Sequence, residues 1–200
     1  MRMCSRTDST RHLLCAGIVE GHHNLDPQSV GDLWSLDPQS KVWTEIEISG
    51  TWPEARSWHG WTGAGSTLYL LGGGSEYSGG DSGYTEEAKE DMWAFSTTTS
   101  TWAQLASGPS HTYFSLGASG GLIYILGGAW ADVTGYFWSY DPEENAWTER
   151  TDSVTVEGSN PLRYRYGGAL LDVAGELLLV QEQPDYPGIA PMLPSLLHER

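Results

Sequence analysis

Cysteine, basic residues and long apolar runs are all scarce in this chain of 200 residues. Cys4 and Cys15 can form at most one disulfide, so a secreted domain built on disulfides is not expected, and a reducing cytoplasm is the expected compartment. Ten Lys and Arg residues face 26 Asp and Glu residues, for a formal net charge of −16. Nucleic acid and anionic membrane surfaces require a basic footprint, so we expect neither as a partner. A run of about 20 apolar residues is also missing, so no membrane-spanning helix is predicted.

The tryptophans, by contrast, are abundant and follow a repeat. Two tryptophans nine residues apart occur three times, at Trp34/Trp43, Trp93/Trp102 and Trp138/Trp147. Both members of the pair are displaced by 59 residues between the first and second copies and by 45 between the second and third. A constant inner spacing with a variable outer one indicates a repeated structural unit that contains one loop of variable length.

Each tryptophan pair encloses a predicted antiparallel hairpin. Large apolar groups alternate on both faces, as in Leu33-Trp34 and Phe137-Trp138, and this pattern is typical of a strand buried on both sides. Asp37-Pro38 and Asp141-Pro142 then predict a turn, because Asp accepts a local hydrogen bond and Pro presets φ at the next position. The chain returns through the second tryptophan of the pair.

A second predicted hairpin precedes two of the pairs. The segment from Trp58 to Gly74 has the pattern strand, glycine turn, strand, and the segment from Tyr113 to Gly128 repeats it. Both end in a double glycine, Gly72-Gly73 or Gly127-Gly128, which suits a positive φ or a close backbone approach. Four antiparallel strands in one repeating unit make one blade of a β-propeller.

Together these motifs resemble the kelch repeat: a Leu-Gly-Gly strand end, an aromatic strand, an Asp-Pro turn and the paired tryptophans. Pro53-Glu-Ala-Arg56 is similar to the start of that repeat, and Pro161-Leu-Arg163 is a looser version of it. The resemblance spans roughly residues 12 to 183 and implies a propeller of about six or seven blades. We therefore predict an all-β fold, a kelch-type β-propeller arc of four-stranded antiparallel blades in an incomplete ring.

The blade boundaries follow from the repeat. We predict a partial blade over residues 1–50 (its strands two to four), full blades over 51–107 and 108–152, a partial fourth blade over 153–183, and a proline-rich irregular tail over 184–200. This gives three, four, four and two strands. An open arc leaves apolar blade faces and strand edges uncovered, so self-association that completes a propeller is an expected form of partnership.

The resemblance implies a non-catalytic scaffold that binds a protein or peptide. In an antiparallel meander, the loops between strands two and three share a face with the loops between blades, and kelch-like domains commonly bind peptides there. The predicted binding residues on or near this face are Arg56, Tyr77, Tyr84, Trp130 and Arg163. Trp52 also lies in one of these loops. The other role open to Arg56 and Arg163 is structural, in which each pairs with backbone or an acidic group.

An enzyme or small-molecule binder is the alternative, with its pocket in the propeller funnel as in galactose-oxidase-like proteins. His59 and Tyr113 are its candidate ligands or acid–base groups, but copper requires at least two histidines and a tyrosine that converge. Plant kelch proteins that redirect glucosinolate breakdown use an iron motif Glu-x-x-x-Asp-x-x-x-His, and here Glu87 and Asp91 are followed by Phe95 where the histidine is needed. The acidic loop 74–90 lacks the fixed carboxylate spacing of a calcium loop. We expect no metal and no cofactor.

Overall fold

The computed structural model describes residues 12–15, 18–19, 28–29, 31–56, 59–74, 89–109, 114–127, 137–151, 169–180 and 196–197. The chain divides into two compact units, Met1–Ser110 and His111–Arg200. Every element described within them is a β-strand or a turn, and all the strand pairs are antiparallel.

The first unit contains two main sheets and one short ribbon. Sheet 1 has the order β1-β4-β5 and sheet 2 has the order β6-β7-β8-β9. A separate ribbon pairs β2 with β3. The strands are β1 (His12–Cys15), β2 (Ile18–Val19), β3 (Gln28–Ser29), β4 (Leu33–Leu36), β5 (Trp43–Glu45), β6 (Gly60–Ala64), β7 (Thr67–Leu71), β8 (Met92–Ser96) and β9 (Thr101–Leu105).

The second unit contains sheets 3 and 4. Sheet 3 is a four-stranded meander, β10-β11-β12-β13, and sheet 4 has the order β14-β15-β16. The strands are β10 (Ser115–Ser119), β11 (Leu122–Leu126), β12 (Phe137–Asp141), β13 (Ala146–Glu149), β14 (Ala169–Val173), β15 (Glu176–Val180) and β16 (Leu196–Leu197). Sheets 2 and 3 are therefore four-stranded antiparallel sheets, the form expected of a blade.

The register of the strands confirms the two hairpins of the repeat. Trp102 pairs with Phe95 and Trp147 pairs with Tyr140, so in the second and third copies the second tryptophan lies across from an aromatic residue. The ring centroids are 5.1 Å and 5.0 Å apart. Such cross-strand aromatic pairs stabilise a sheet beyond the area that they bury.

The Asp-Pro turns form as expected. The Asp37 Oδ1 atom accepts a hydrogen bond from the Gln39 backbone at 2.8 Å, and the Asp141 Oδ1 atom accepts one from Glu143 at the same distance. Each hairpin turn ends in a non-glycine residue with positive φ, which is Lys41 (61°), Ser100 (55°) or Asn145 (51°). Of these three residue types, Asn tolerates the left-handed region best.

The double glycine after β7 also adopts the predicted conformation. The φ angles are 61° at Gly72 and 86° at Gly73, and Gly127 after β11 has a φ of 78°. A side chain is strained in this region of φ, so the glycines let the chain leave the strand where β7 and β11 end.

Each unit has a core where two sheets pack face to face. In the first unit Leu33 from sheet 1 is buried with Leu68 and Phe95 from sheet 2, and the partly buried side chains around them are Ile46, Ile48, Trp61 and Trp102. In the second unit the core joins sheets 3 and 4, and its buried members are Tyr124, Leu126, Phe137, Leu170, Leu177 and Leu179. This is blade-on-blade packing, with the apolar residues alternating as a strand requires.

Three short strands were not expected from the sequence. β2 and β3 lie in the segment 18–31, which was predicted to be a loop, and β16 lies in the tail that was predicted to be irregular. The prediction for the tail rested on prolines, the last of which is Pro194. Leu196–Leu197 follows that proline, is apolar, and pairs with Leu177 and Leu178 of β15.

Candidate interaction surface

Arg56 lies at the entry to sheet 2 and is only 2% exposed. Its Nη1 and Nη2 atoms donate hydrogen bonds to the two carboxylate oxygens of Asp91, at 2.5 Å and 2.8 Å. Its Nε atom donates to the Glu54 carbonyl at 3.0 Å, and Nη1 also donates to the Gly72 carbonyl at 3.2 Å. A planar guanidinium suits this two-pronged contact with a carboxylate. Arg56 thus ties the entry segment to the end of β7 and the start of β8, which corresponds to the structural role left open for it.

Asp91 is held in its ionised form by these contacts. Burial alone would raise the pKa of Asp91, but hydrogen bonds from Arg56 and Trp93 and the nearby charges of Arg56 and Lys89 outweigh burial and lower that pKa. The Trp93 Nε1 atom donates to Asp91 Oδ2 at 2.6 Å. The Asp91 carboxylate therefore accepts hydrogen bonds from both the buried Arg56 guanidinium and the Trp93 indole.

The Asp-x-Trp contact is itself a repeated feature. In sheet 1 the Trp34 Nε1 atom donates to Asp32 Oδ2, also at 2.6 Å. The third repeat has Tyr136 where the other two have aspartate, and within the described structure the Trp138 Nε1 atom is buried without a hydrogen-bond partner. Sequence analysis missed this contact, although an Asp two residues before two of the three tryptophan pairs was a visible signal.

Loops of two kinds meet at the edge of sheet 2 that carries Arg56. The Lys89 Nζ atom, at the end of the β7–β8 connection, pairs with Glu54 Oε2 at 2.8 Å in the segment that leads into sheet 2. This contact lowers the pKa of the exposed Glu54 carboxyl. Gly108, in the segment that leaves sheet 2, donates its backbone N–H to the Glu90 carbonyl at 2.8 Å. In the first unit, then, the described end of the β7–β8 connection lies beside the segments that enter and leave sheet 2.

A cleft opens beside these loops in the first unit. It is shallow and partly open to solvent, and its lining includes Gly31, Asp32, Ile48, Trp52, Pro53, Arg56, His59 and Trp102. Trp52 is 49% exposed at its rim, whereas the adjacent Pro53 is buried. An exposed tryptophan next to a fixed backbone is a favourable contact group for a protein partner, because a large rigid side chain can be buried at low entropic cost.

His59, the candidate ligand of the alternative function, packs edge-on against Trp61, with the ring centroids 5.6 Å apart. Tyr113, its proposed companion, lies outside the described residues. Across the described ranges, no group of three His, Cys, Asp or Glu residues is placed to hold a metal ion.

The structure describes one of the five predicted binding residues. Arg56 lies in the loop region described above, and Tyr77, Tyr84, Trp130 and Arg163 lie outside the described residues. The acidic loop 74–90 is described only at Gly74, Lys89 and Glu90. A binding role for all five residues stays a prediction.

Comparison with known proteins bears on the repeat as a whole. The family model described as the KLHDC2/KLHL20/DRC7 Kelch-repeats domain matches residues 18–180, which is most of the chain. This chain belongs to the kelch-repeat family. Its similarity to kelch domain-containing protein 3 of Bos taurus is 27% identity over 154 residues, or 72% of this chain. This chain spans 38% of the length of that relative.

Within the described residues there is no helix long and apolar enough to cross a membrane.

Proposed function

We propose that this kelch domain is a non-catalytic scaffold that binds a protein or peptide. The binding face is the one that carries the strand two–three loops and the inter-blade segments. The observation that carries the proposal is the half-exposed Trp52 at the rim of a cleft. The proposed compartment is the cytoplasm, on the argument from two cysteines.

The framework around Trp52 supports this proposal. Arg56 and Asp91 fix the backbone four residues after Trp52, and the Glu54–Lys89 pair joins the same segment to the neighbouring loop. Binding costs less free energy when the contact residues are already held in place, since fewer side chains and loops are ordered on association. In this proposal Arg56 contributes by positioning the loops that hold Trp52.

The test is a selection of peptides from a phage-displayed library on the immobilised protein. We expect Trp52→Ala to weaken binding of the selected peptides at least tenfold, because exposed tryptophans are enriched among residues that dominate binding energy. Alanine variants of Tyr77, Tyr84, Trp130 and Arg163 test the rest of the predicted face in the same assay.

Val42→Ala is the matched control, because Val42 is also a large exposed apolar residue, at 55%, but lies in the hairpin turn between β4 and β5. It should leave peptide binding unchanged. Selected peptides that bind Trp52→Ala and the four loop variants as well as the wild-type protein would show that the face is wrongly assigned.

A further inference from the structure

Sheet 4 has a second apolar face that the structure leaves exposed. On β14 and β15, the side chains of Leu171, Val173, Leu178 and Val180 lie on one side of the sheet, as the strand register shows, and Ala169 and Glu176 lie on the same side at its edges. Leu171 is 48% exposed, Val173 51% and Val180 54%. The other side of the sheet carries Leu170, Leu177 and Leu179, which are buried in the core of the second unit. We call the exposed set the sheet 4 face.

The repeat indicates what such a face contacts. Leu178 and Val180 stand three and five residues after the turn glycine Gly175, and Tyr124 and Leu126 stand at the same distances after Gly121. In the second unit, Tyr124 and Leu126 pack against the buried leucines of the sheet that follows in the chain. The sheet 4 face is thus of the kind that a following blade covers.

Sheet 1 presents the opposite kind of face. Trp43 is 41% exposed and pairs across the hairpin with Leu36. These two residues, which form the sheet 1 face, occupy the repeat positions of Trp102 and Phe95. In the first unit, Phe95 and Trp102 pack with Leu33 of the preceding sheet. The sheet 1 face is thus of the kind that a preceding blade covers.

We propose that the sheet 4 face of one copy of this chain packs on the sheet 1 face of a second copy. The two surfaces are complementary halves of the blade-to-blade contact that the chain already makes within each of its units. Such an interface is head-to-tail, because the two copies use different surfaces. It uses other residues than the peptide-binding face, so either proposal can fail without the other.

The net charge of the chain sets the conditions for this association. Each copy carries a formal charge of −16, so two copies repel one another. Added salt screens this repulsion and strengthens apolar contact, so the association becomes tighter as ionic strength rises. An association driven by ion pairs would respond to salt in the opposite direction.

Sedimentation velocity over a series of protein concentrations, at low and at high salt, tests the proposal. We expect concentration-dependent association of the wild-type chain that increases with salt. Leu171→Glu should weaken it at least tenfold, and Trp43→Glu should do the same from the other side. Thr44→Glu is the matched control, since Thr44 is exposed on the same strand as Trp43 but points to the opposite side of the sheet.

Mixing the two single variants gives the sharpest result. The Leu171→Glu chain keeps its sheet 1 face and the Trp43→Glu chain keeps its sheet 4 face, so together they should form one junction and stop at a heterodimer. A wild-type chain that stays monomeric at every concentration, or variants that associate as the wild type does, would overturn the proposal. A mixture of the two variants that does not associate would also overturn the proposal. A thermal melt of each variant confirms folding, and Val180→Glu replaces Leu171→Glu if the latter fails to fold.

Discussion

Asp91 shows how much a single residue can hold together in this fold. It neutralises Arg56, accepts the indole N–H of Trp93 and stands directly before β8. Its side chain is 23% exposed and that of Arg56 is 2% exposed, so the pair is shielded from solvent mainly on the arginine side. Removal of the carboxylate charge leaves a buried guanidinium without its counter-ion, and this loss is usually larger than the net benefit of forming such a pair.

We expect Asp91→Asn to lower the free energy of unfolding by about 3 kcal/mol at neutral pH. The pKa of Asp91 is lower in the folded chain than in the unfolded one, so its contribution is present above about pH 4 and is lost as pH falls through the folded value. The difference between wild type and variant should therefore shrink in acid. Urea denaturation measured from neutral pH to about pH 3 checks this.

Glu54→Gln is the matched control for that experiment, because it makes the same acid-to-amide change in the exposed pair with Lys89. It should cost far less stability than Asp91→Asn, since exposed ion pairs contribute little. If the two variants lose equal stability at neutral pH, the Arg56–Asp91 pair does not have the structural role described here.

Gly117 is the second residue on which packing depends. A Cβ atom at this position on β10 would lie 2.7 Å from the Leu170 carbonyl oxygen and 2.8 Å from its Cγ atom, in the neighbouring sheet of the same unit. We expect Gly117→Ala to destabilise the protein by about 2 kcal/mol, because the sheets must move apart to accept the methyl group. The melting temperature and the urea midpoint measure this change.

Gly31→Ala is the control for that substitution. Its Cβ atom would lie 3.6 Å from the nearest atoms of Ala55, an ordinary contact distance, and Gly31 does not need a positive φ. Its effect should stay within about 0.5 kcal/mol. Equal losses for Gly31→Ala and Gly117→Ala would mean that the close approach at Gly117 is not the cause.

At the scale of the element, the three tryptophan hairpins have turns of the same kind, each ending in a residue with positive φ. They differ in how well that last residue tolerates a positive φ. Asn145 fits the left-handed conformation, and its Oδ1 atom also accepts a hydrogen bond from the buried Tyr140 hydroxyl at 2.6 Å. Ser100 and Lys41 adopt nearly the same φ with residue types that are less suited to it. The turns of the first two hairpins are therefore improvable without any change in the core.

We expect Ser100→Asn to raise the free energy of unfolding by about 0.5 kcal/mol, because Asn reaches the left-handed region at lower cost. Thr98→Asn, two residues earlier in the same turn at an exposed position without positive φ, should have no effect. The urea midpoints of the two variants give the comparison. A gain of the same size in both would point to a general effect of Asn in this turn and contradict the argument from backbone conformation.

Elements also show where sequence reasoning succeeds and where it stops. The Trp34/Trp43 spacing, the Asp-Pro turns and the double glycine are local patterns with a fixed geometric meaning, so they predict the hairpins and their order. The partnership of Arg56 with Asp91 joins residues that are 35 positions apart, and the pairing of β6 with β7 and of β7 with β8 brings them together. Likewise β16 pairs through two residues, too few to leave a period in the sequence.

For the whole molecule, the repeat says more about how the surface is built than about which ligand it binds. Kelch membership accounts for the sheets and for the face on which the loops meet, but a repeated scaffold supports many functions. The excess of acidic residues disfavours partners that require a basic surface on this chain, such as nucleic acid. Among the described residues of the loop face, Trp52 is the exposed large apolar side chain.

The pairing of β7 with β8 has a consequence for how such a surface can change over evolutionary time. Beyond the strands the pairing is closed by backbone hydrogen bonds, from Gly72 to Asp91 at 3.2 Å and from Lys89 to Gly73 at 2.7 Å. The closure entropy of a flexible loop grows with the logarithm of its length, so doubling the length of a loop costs only about 0.6 kcal/mol. Insertions, deletions and new binding sequences can accumulate in the segment between these two bonds while the blade beneath keeps its fold, and the interval between tryptophan pairs, 59 residues in one place and 45 in the other, is the kind of record that such freedom leaves.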